Sequence, residues 1–315
     1  MSKQRSELYK ASGLKGPNVI KERQNIRRIQ ALELQQKRKW DLTALARRLT
    51  TTENDNSDEN DLSAGSEDDH KYKKDSSNST DQAMEIEGSS KNSGGKRKRK
   101  YVLMIPEQIE EMPNQLHDMW LAIACPEGQR CIVTSSNGST VCCDPFGNLL
   151  FRFSTLLPAG YPTTSRPRDH CILDCVYITS SKTFYVIDMM SWGGHPIYDC
   201  TAEFRIEFWK TSRLSELASE VDRVKNVAPK LATEYRFLPA PTVRCQNHML
   251  ATLINSNPSE LFEVGNNNTN NSESRNIPRL DGLLLLHCEA RYIPGISPLS
   301  CWIPQSALGQ LIHKA

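Results

Sequence analysis

The stretch Asp169–Cys200, DHCILDCVYITSSKTFYVIDMMSWGGHPIYDC, decides the fold. It holds two short runs rich in β-branched and aromatic residues, Cys171–Ile178 and Thr183–Met190, with the turn-forming Ser180-Ser181-Lys182 between them. This pattern predicts an antiparallel β-hairpin. Both faces of the first run are apolar, so we expect the hairpin to lie inside a sheet that is covered on both sides.

Each run also carries one carboxylate, Asp174 in the first and Asp188 in the second. An ionised carboxylate is costly to bury unless it is paired or hydrogen-bonded, so we expect each of them to have a partner. A structural contact with the backbone or with an arginine is the general expectation. A ligand site on the sheet is the more specific alternative.

The charge of the chain is divided sharply along its length. The 315 residues carry a net charge of +2, but residues 1–50 hold thirteen Lys and Arg against four Asp and Glu. Residues 51–95 hold twelve acidic residues against four Lys, and Lys96–Lys100 form a basic pentad. This length allows one large domain, or two smaller ones, plus tails. The pentad fits a nuclear localisation signal and a solubilising run equally well.

The sequence does not indicate a membrane or an oxidising compartment. It has no run of about 18 apolar residues, and its first ten residues lack the apolar region of a secretory signal. Ten cysteines lie between Cys125 and Cys301 without CxxC spacing, which indicates reduced thiols in the core. We therefore expect a protein of the cytoplasm or nucleus with no membrane partner. We also expect no cofactor and no metal site.

Residues 1–100 are predicted to form a tail and a linker. Residues 21–49 contain no Pro or Gly and predict a long basic helix within the 1–50 tail. Its apolar stripe is thin, so the helix either binds an acidic partner, stays solvated or acts as an RNA-binding arm. Residues 51–100 are too polar to fold and predict a disordered acidic linker. Because the linker separates them, we expect the tail and the following domain to act independently.

Residues 101–315 are predicted to form one α+β domain built mainly of antiparallel sheet. We expect a helix at Ser212–Val227, a flexible insertion at 265–275 and a turn-rich finish at Tyr292–Pro304. The strands predicted besides the hairpin are Trp120–Ala124, Cys131–Thr134, Thr140–Cys143, Leu149–Phe153, Phe204–Trp209 and Leu280–His287.

The order of five motifs in this domain resembles the nucleotide-binding core of mRNA guanylyltransferases and related ligases. The motifs are CPEGQR (125–130), ILDCVY (172–177), TFYVIDMM (183–190), LDGLLLLH (280–287) and CWIP (301–304). This resemblance implies a nucleotidyltransferase-like fold. In those enzymes a lysine at the position of Cys125 attacks the nucleotide α-phosphate, and an acid stands at the position of Val176. The resemblance therefore implies a nucleotide pocket without catalytic residues, and Asp174 and Asp188 are interpreted as structural.

The whole chain resembles the snurportin family of nuclear import adaptors more closely. The similar stretches include Met84-Glu85-Ile86-Glu87, Ile172–Cys175, Gly194-His195-Pro196, Asp281–Leu284, and Pro298-Leu299 with Trp302. This resemblance implies binding of the 2,2,7-trimethylguanosine cap of spliceosomal U snRNAs. It also implies linkage of the snRNP to importin beta or a related importin, recycling by an exportin, and shuttling between the nucleus and the cytoplasm.

The resemblance assigns roles to individual residues. Trp302 would stack on the methylated guanine with a cation–π contribution, and Arg130 would contact phosphate. The alternative for Trp302 is a lid over the core. The implied cap-binding set is Trp302, Arg130, Cys125, Gly128, Gln129 and Ile105. The implied importin-binding set is Arg27, Arg28, Lys37, Arg38, Lys39, Arg47 and Arg48.

The chain departs from the family at both sites. The family's Ser and Trp appear as Pro106 and Gln108, and its phosphate-facing Lys appears as Pro145. Its run of four arginines is reduced to Arg27-Arg28. We therefore expect an intact stacking group, altered polar contacts and weak importin binding. The alternatives are a generic RNA-binding nuclear protein that uses its basic tail, and a catalytic nucleotidyltransferase, which Cys125 disfavours.

Overall fold

The computed structural model describes five ranges, residues 24–35, 101–162, 169–227, 234–262 and 277–309. Within these ranges, no helix is both long and apolar enough to cross a membrane. The predicted linker and the predicted insertion lie outside them, as do both ends of the predicted basic helix. The described part of the domain is α+β and mainly antiparallel, as predicted.

The first sheet has five strands in the order β1-β12-β11-β2-β10. Strands β1 and β12 pair in parallel, and the other neighbours are antiparallel. The central strands β2 and β11 are almost continuously apolar because both of their faces are covered. The strands are β1 (Met104–Gln108), β2 (Trp120–Pro126), β10 (Thr242–Arg244), β11 (Leu280–His287) and β12 (Gly295–Pro304).

The second sheet has seven strands, six of them in the order β5-β4-β3-β6-β7-β8, with β9 pairing in parallel with β7. They are β3 (Gln129–Ser136), β4 (Ser139–Cys143), β5 (Leu149–Phe153), β6 (His170–Ile178), β7 (Thr183–Trp192), β8 (His195–Pro196) and β9 (Arg236–Pro239). The predicted hairpin is confirmed, since β6 and β7 are antiparallel neighbours and every residue of β6 is buried.

Several helices accompany the sheets in the described ranges. They are α1 (Gln24–Gln35), α2 (Leu116–Met119), α3 (Thr211–Val227), α4 (Asn247–Asn255) and α5 (Pro258–Leu261). The predicted helix Ser212–Val227 is confirmed as α3. Helix α4 was not predicted, because its nine residues are too few to show a clear helical period.

The main apolar core lies between the two sheets. It contains Ile123 and Leu284 from the first sheet, and Ile132 and Ile187 from the second. A second cluster on the opposite face of the second sheet is covered by α3. The hairpin is therefore covered on both sides, as its apolar pattern predicted.

The segment Phe204–Lys210 is a π-helix, so the predicted strand at Phe204–Trp209 is wrong. Phe204, Ile206 and Phe208 alternate with other residues and therefore imitate a strand. In the π-helix, Arg205 and Lys210 lie five residues apart and are both buried. Phe204 and Phe208 instead stack in exposed positions, with ring centroids 5.4 Å apart. Arg205 and Lys210 donate hydrogen bonds to residues that are distant in the sequence. Their burial therefore decides that this segment is a π-helix.

The predicted turn-rich finish is wrong over most of its length, because β12 extends from Gly295 to Pro304. Pro298 is tolerated because the pairing with β1 is irregular there. Pro106 of β1 lies opposite Ser297, whereas the next residue of β1 lies opposite Cys301. Residues 298–300 thus have no partner on β1, which is where a sheet accommodates proline.

Asp188 forms a buried ion pair with Arg205 of the π-helix. The guanidinium donates to both carboxylate oxygens, at 3.0 Å from Nε and 2.8 Å from one terminal nitrogen. Its other terminal nitrogen donates to the carbonyls of Cys200 and Ala290. Asp188 is therefore structural, with an arginine as its partner. Lys210 donates to two carbonyls and a hydroxyl, and burial lowers its pKa to about 8.

Arg205→Met should lower the free energy of unfolding by about 3–5 kcal/mol, because it leaves the Asp188 carboxylate buried without a partner. Arg223→Met is the matched control, since Arg223 pairs with Glu220 on the exposed surface of α3. The control should show no measurable change. Urea denaturation followed by circular dichroism measures both variants. Equal effects would show that the buried pair is not important for stability.

Candidate functional site

Arg130 lies in a buried network that joins the two sheets. Its guanidinium donates to both oxygens of Asp174 on β6, at 3.2 and 2.8 Å. The same terminal nitrogen donates to the carbonyl of Met104 on β1 at 2.8 Å. The Tyr292 hydroxyl donates to Asp174 at 2.8 Å and accepts from the Met104 amide at 3.0 Å. These contacts of Arg130 are structural, and its predicted phosphate contact stays a prediction.

Cys125 stands at the end of β2, opposite Gly282 of β11. Its side chain is 3% exposed, and burial raises the pKa of the thiol to about 12. The nearby Arg130 guanidinium lowers this pKa, but less than burial raises it. Since the thiolate is the nucleophilic form, Cys125 is protonated and unreactive near neutral pH. Among the described residues, no cluster of three or more His, Cys, Asp or Glu is arranged to hold a metal ion.

Two more of the predicted cap-binding residues are Gly128, in the turn between β2 and β3, and Gln129, the first residue of β3. A methyl group on Gly128 would lie 2.4 Å from Ile178 Cδ1 and 2.6 Å from the Tyr177 carbonyl oxygen. Glycine is therefore required for the close packing of this turn. The next residue, Gln129, is exposed, whereas Arg130 points inward.

Trp302 lies on β12 and is only 5% exposed. Its partners in the sheet are Gln108 of β1 and Leu284 of β11. A methyl group on Gly282 would come within 2.7 Å of the indole Cζ2, so this glycine gives the ring room against β11. Ile105 is buried in the same sheet, and Gln108 is exposed. Stacking by Trp302 stays a prediction, and it requires that the indole be uncovered when a base enters.

The structure describes two of the seven predicted importin-binding residues, both on α1. Arg27 forms an ion pair with Glu107 at 2.8 Å, and Arg28 is buried against the domain. The expectation that the tail and the domain act independently is therefore wrong for α1. The other five, Lys37, Arg38, Lys39, Arg47 and Arg48, lie outside the described residues.

Sequence reasoning missed several residues that organise this region. Tyr292 lies between both ion pairs, since its hydroxyl contacts Asp174 and its ring lies 5.9 Å from the Arg205 guanidinium carbon. Nothing local distinguishes this tyrosine from a surface one. Gln24 and Gln35 anchor α1 to the domain, but polar helix positions are normally interpreted as solvent-facing.

Two solved structures of ligases are similar to this chain at a low level. One is the ligase domain of LigD from M. tuberculosis, with 13% sequence identity, coverage of 59% of this chain and 53% of that chain, and a TM-score of 0.30. The other is a mycobacterial DNA ligase D complexed with ATP and MES, with 13% identity, coverage of 64% and 60%, and a TM-score of 0.30. The chain thus spans less than two thirds of either ligase chain.

A family match is far more extensive. Residues 102–304 match the family described as Snurportin1, m3G cap-binding domain, where m3G denotes trimethylguanosine. The matched range begins just before β1 and ends with β12, so it contains both sheets and every predicted cap-binding residue. It covers well over half of the 315 residues. The chain therefore belongs to the snurportin family, and residues 102–304 correspond to its m3G cap-binding domain.

Proposed function

We propose that this protein is a nuclear import adaptor that binds the 2,2,7-trimethylguanosine cap of spliceosomal U snRNAs and links the snRNP to an importin. The family match over residues 102–304 carries this proposal. Recycling by an exportin and shuttling between nucleus and cytoplasm belong to the same proposal. Arg27 and Arg28 on α1, with the five basic residues that follow it, are the proposed importin contacts.

The proposed cap site lies on the side of the first sheet that faces the second. Cys125 and Gly282 are partners in the pairing of β2 with β11, and Trp302 contacts this pair through Gly282. The exposed Gln108 side chain lies beside Trp302 and provides a donor and an acceptor for a guanine edge. The indole face attracts the cationic methylated base. Because the Trp302 indole is buried in the unbound protein, exposing it to the base costs free energy and weakens the net binding of the cap.

The same geometry supports a protein that binds without catalysing. The residue at the position of the ligase nucleophile is a buried thiol with a pKa raised to about 12. Asp174 and Asp188 are both neutralised by arginines and are not available to a reacting phosphate. We therefore propose that the nucleotide is recognised and left intact.

Trp302→Ala should weaken binding of trimethylguanosine-capped RNA by about 2 kcal/mol, roughly thirtyfold, because it removes stacking and a cation–π contact. Trp302→Phe should recover part of the loss. Fluorescence titration with trimethyl-capped and monomethyl-capped RNA measures affinity and selectivity, and the parent should prefer the trimethyl cap.

Trp192→Ala is the matched control, because this partly exposed tryptophan lies on β7 of the other sheet. Circular dichroism must show that each variant is folded, since Trp302 also packs in the core. A folded Trp302→Ala protein with parental cap affinity would contradict the proposed cap site. Equal binding of uncapped RNA with a steep salt dependence would instead favour the RNA-binding-tail alternative.

Arg130→Met should lower the free energy of unfolding by about 3–5 kcal/mol, because Asp174 then lacks its counter-ion. In the folded fraction, the predicted phosphate contact should appear as a loss of cap affinity that shrinks as salt rises. A purely structural role of Arg130 predicts instead a loss that is the same at low and high salt. Titrations with capped RNA at two ionic strengths distinguish the two roles.

The parent protein should form no covalent adduct with α-labelled GTP, because no amine stands at Cys125. A guanylyltransferase with its loop lysine serves as the positive control for labelling. Cys125→Lys should also remain unlabelled, since the acid at the position of Val176 is still missing. A labelled band from the unmodified protein would overturn the non-enzymatic part of the proposal.

A further inference from the structure

Helix α1 packs against the domain through a face whose fully buried residues are all polar. Its three buried residues, Gln24, Arg28 and Gln35, are spaced by four and seven residues and therefore lie on one side of the helix. The apolar Ile29 is 55% exposed on the docked helix. Ala31 and Leu32, on the same side of the helix, are partly buried against the main core. The contact between α1 and the domain therefore combines a small apolar contact with three buried polar side chains.

Two glutamine side chains bind the domain backbone at the ends of α1. The Gln24 amide donates to the Gln108 carbonyl at 2.9 Å and accepts from the amides of Glu110 and Glu111, each at 2.9 Å. At the other end, the Gln35 amide donates to the Glu289 carbonyl and accepts from the Arg291 amide, again at 2.9 Å. These contacts fix the helix along the outer surface of the first sheet.

Arg28 is buried between these two anchors without an opposite charge. It is 4% exposed, and it donates to the Glu111 carbonyl at 3.0 Å and to the Cys301 sulfur at 3.3 Å. Its guanidinium carbon lies 5.4 Å from the centre of the Trp120 ring. Among the described residues, no carboxylate lies within ion-pair distance of Arg28. A buried guanidinium without a carboxylate is costly, so a partner that supplies one can compete with the docked state.

We infer that this outer surface is an intramolecular receptor for α1 that competes with an importin for the same face of the helix. The receptor consists of residues 108–112, Trp120, residues 289–291 and Cys301. This inference rests on the proposed function, in which Arg28 binds an acidic importin. Docking hides Arg28, so the apparent affinity for importin is reduced by the fraction of molecules in which α1 is released. The acidic partner provides the carboxylate that Arg28 lacks when α1 is docked.

The test loosens docking without removing a cation. In the full chain, Gln24→Ala combined with Gln35→Ala removes both anchors and leaves every Arg and Lys in place. Gln30→Ala is the matched control, because Gln30 lies on the exposed side of the same helix. Hydrogen exchange of residues 24–35 measures docking, since a released helix of twelve residues is marginally stable in water. Titration with purified importin beta measures how strongly docking reduces the affinity of α1 for the importin.

The double variant should exchange its α1 amides at least about tenfold faster than the parent and bind importin beta about tenfold more tightly. The Gln30→Ala protein should match the parent in both measurements. Unchanged exchange in the double variant would overturn docking in solution. Faster exchange with unchanged importin affinity would overturn the competition. If importin beta binds none of the proteins, the proposed importin link fails and the competition fails with it, while the exchange rates still decide whether α1 docks.

Discussion

Two carboxylates that lie directly opposite each other on the central hairpin constrain the rest of the domain. Asp174 and Asp188 are partners across β6 and β7, and both are buried. Like charges in this arrangement repel each other, so each needs its own counter-ion. Arg130 from β3 and Arg205 from the π-helix supply them. The hairpin can therefore be buried only when these two elements are in place.

The same two ion pairs position the first sheet against the second. Arg130 reaches across to the carbonyl of Met104 on β1, and Arg205 reaches the carbonyl of Ala290 beyond β11. Tyr292 contacts both groups. The layer between the two sheets near Cys125 is therefore held by buried hydrogen bonds and ion pairs, in which the charged groups serve stability.

The docked helix α1 and the proposed cap site lie on opposite faces of the first sheet. On β12, the adjacent residues Cys301 and Trp302 belong to α1 docking and to the proposed cap site respectively. Side chains that follow one another in a strand point to opposite faces. A single strand thus connects the proposed importin-binding helix with the proposed cap-binding surface.

The sequence by itself determined the hairpin, the helix α3, the α+β class and the need of both carboxylates for partners. The period of the apolar residues and the cost of burying a charged side chain can both be judged from the local sequence. The order of short motifs along the chain also indicated the family. The π-helix, the strand β12 and the docking of α1 were decided by tertiary structure. In each case a long-range contact outweighs the local pattern: buried Arg205 and Lys210 turn an alternating segment into a helix, and Gln24 with Gln35 binds backbone groups more than eighty residues away.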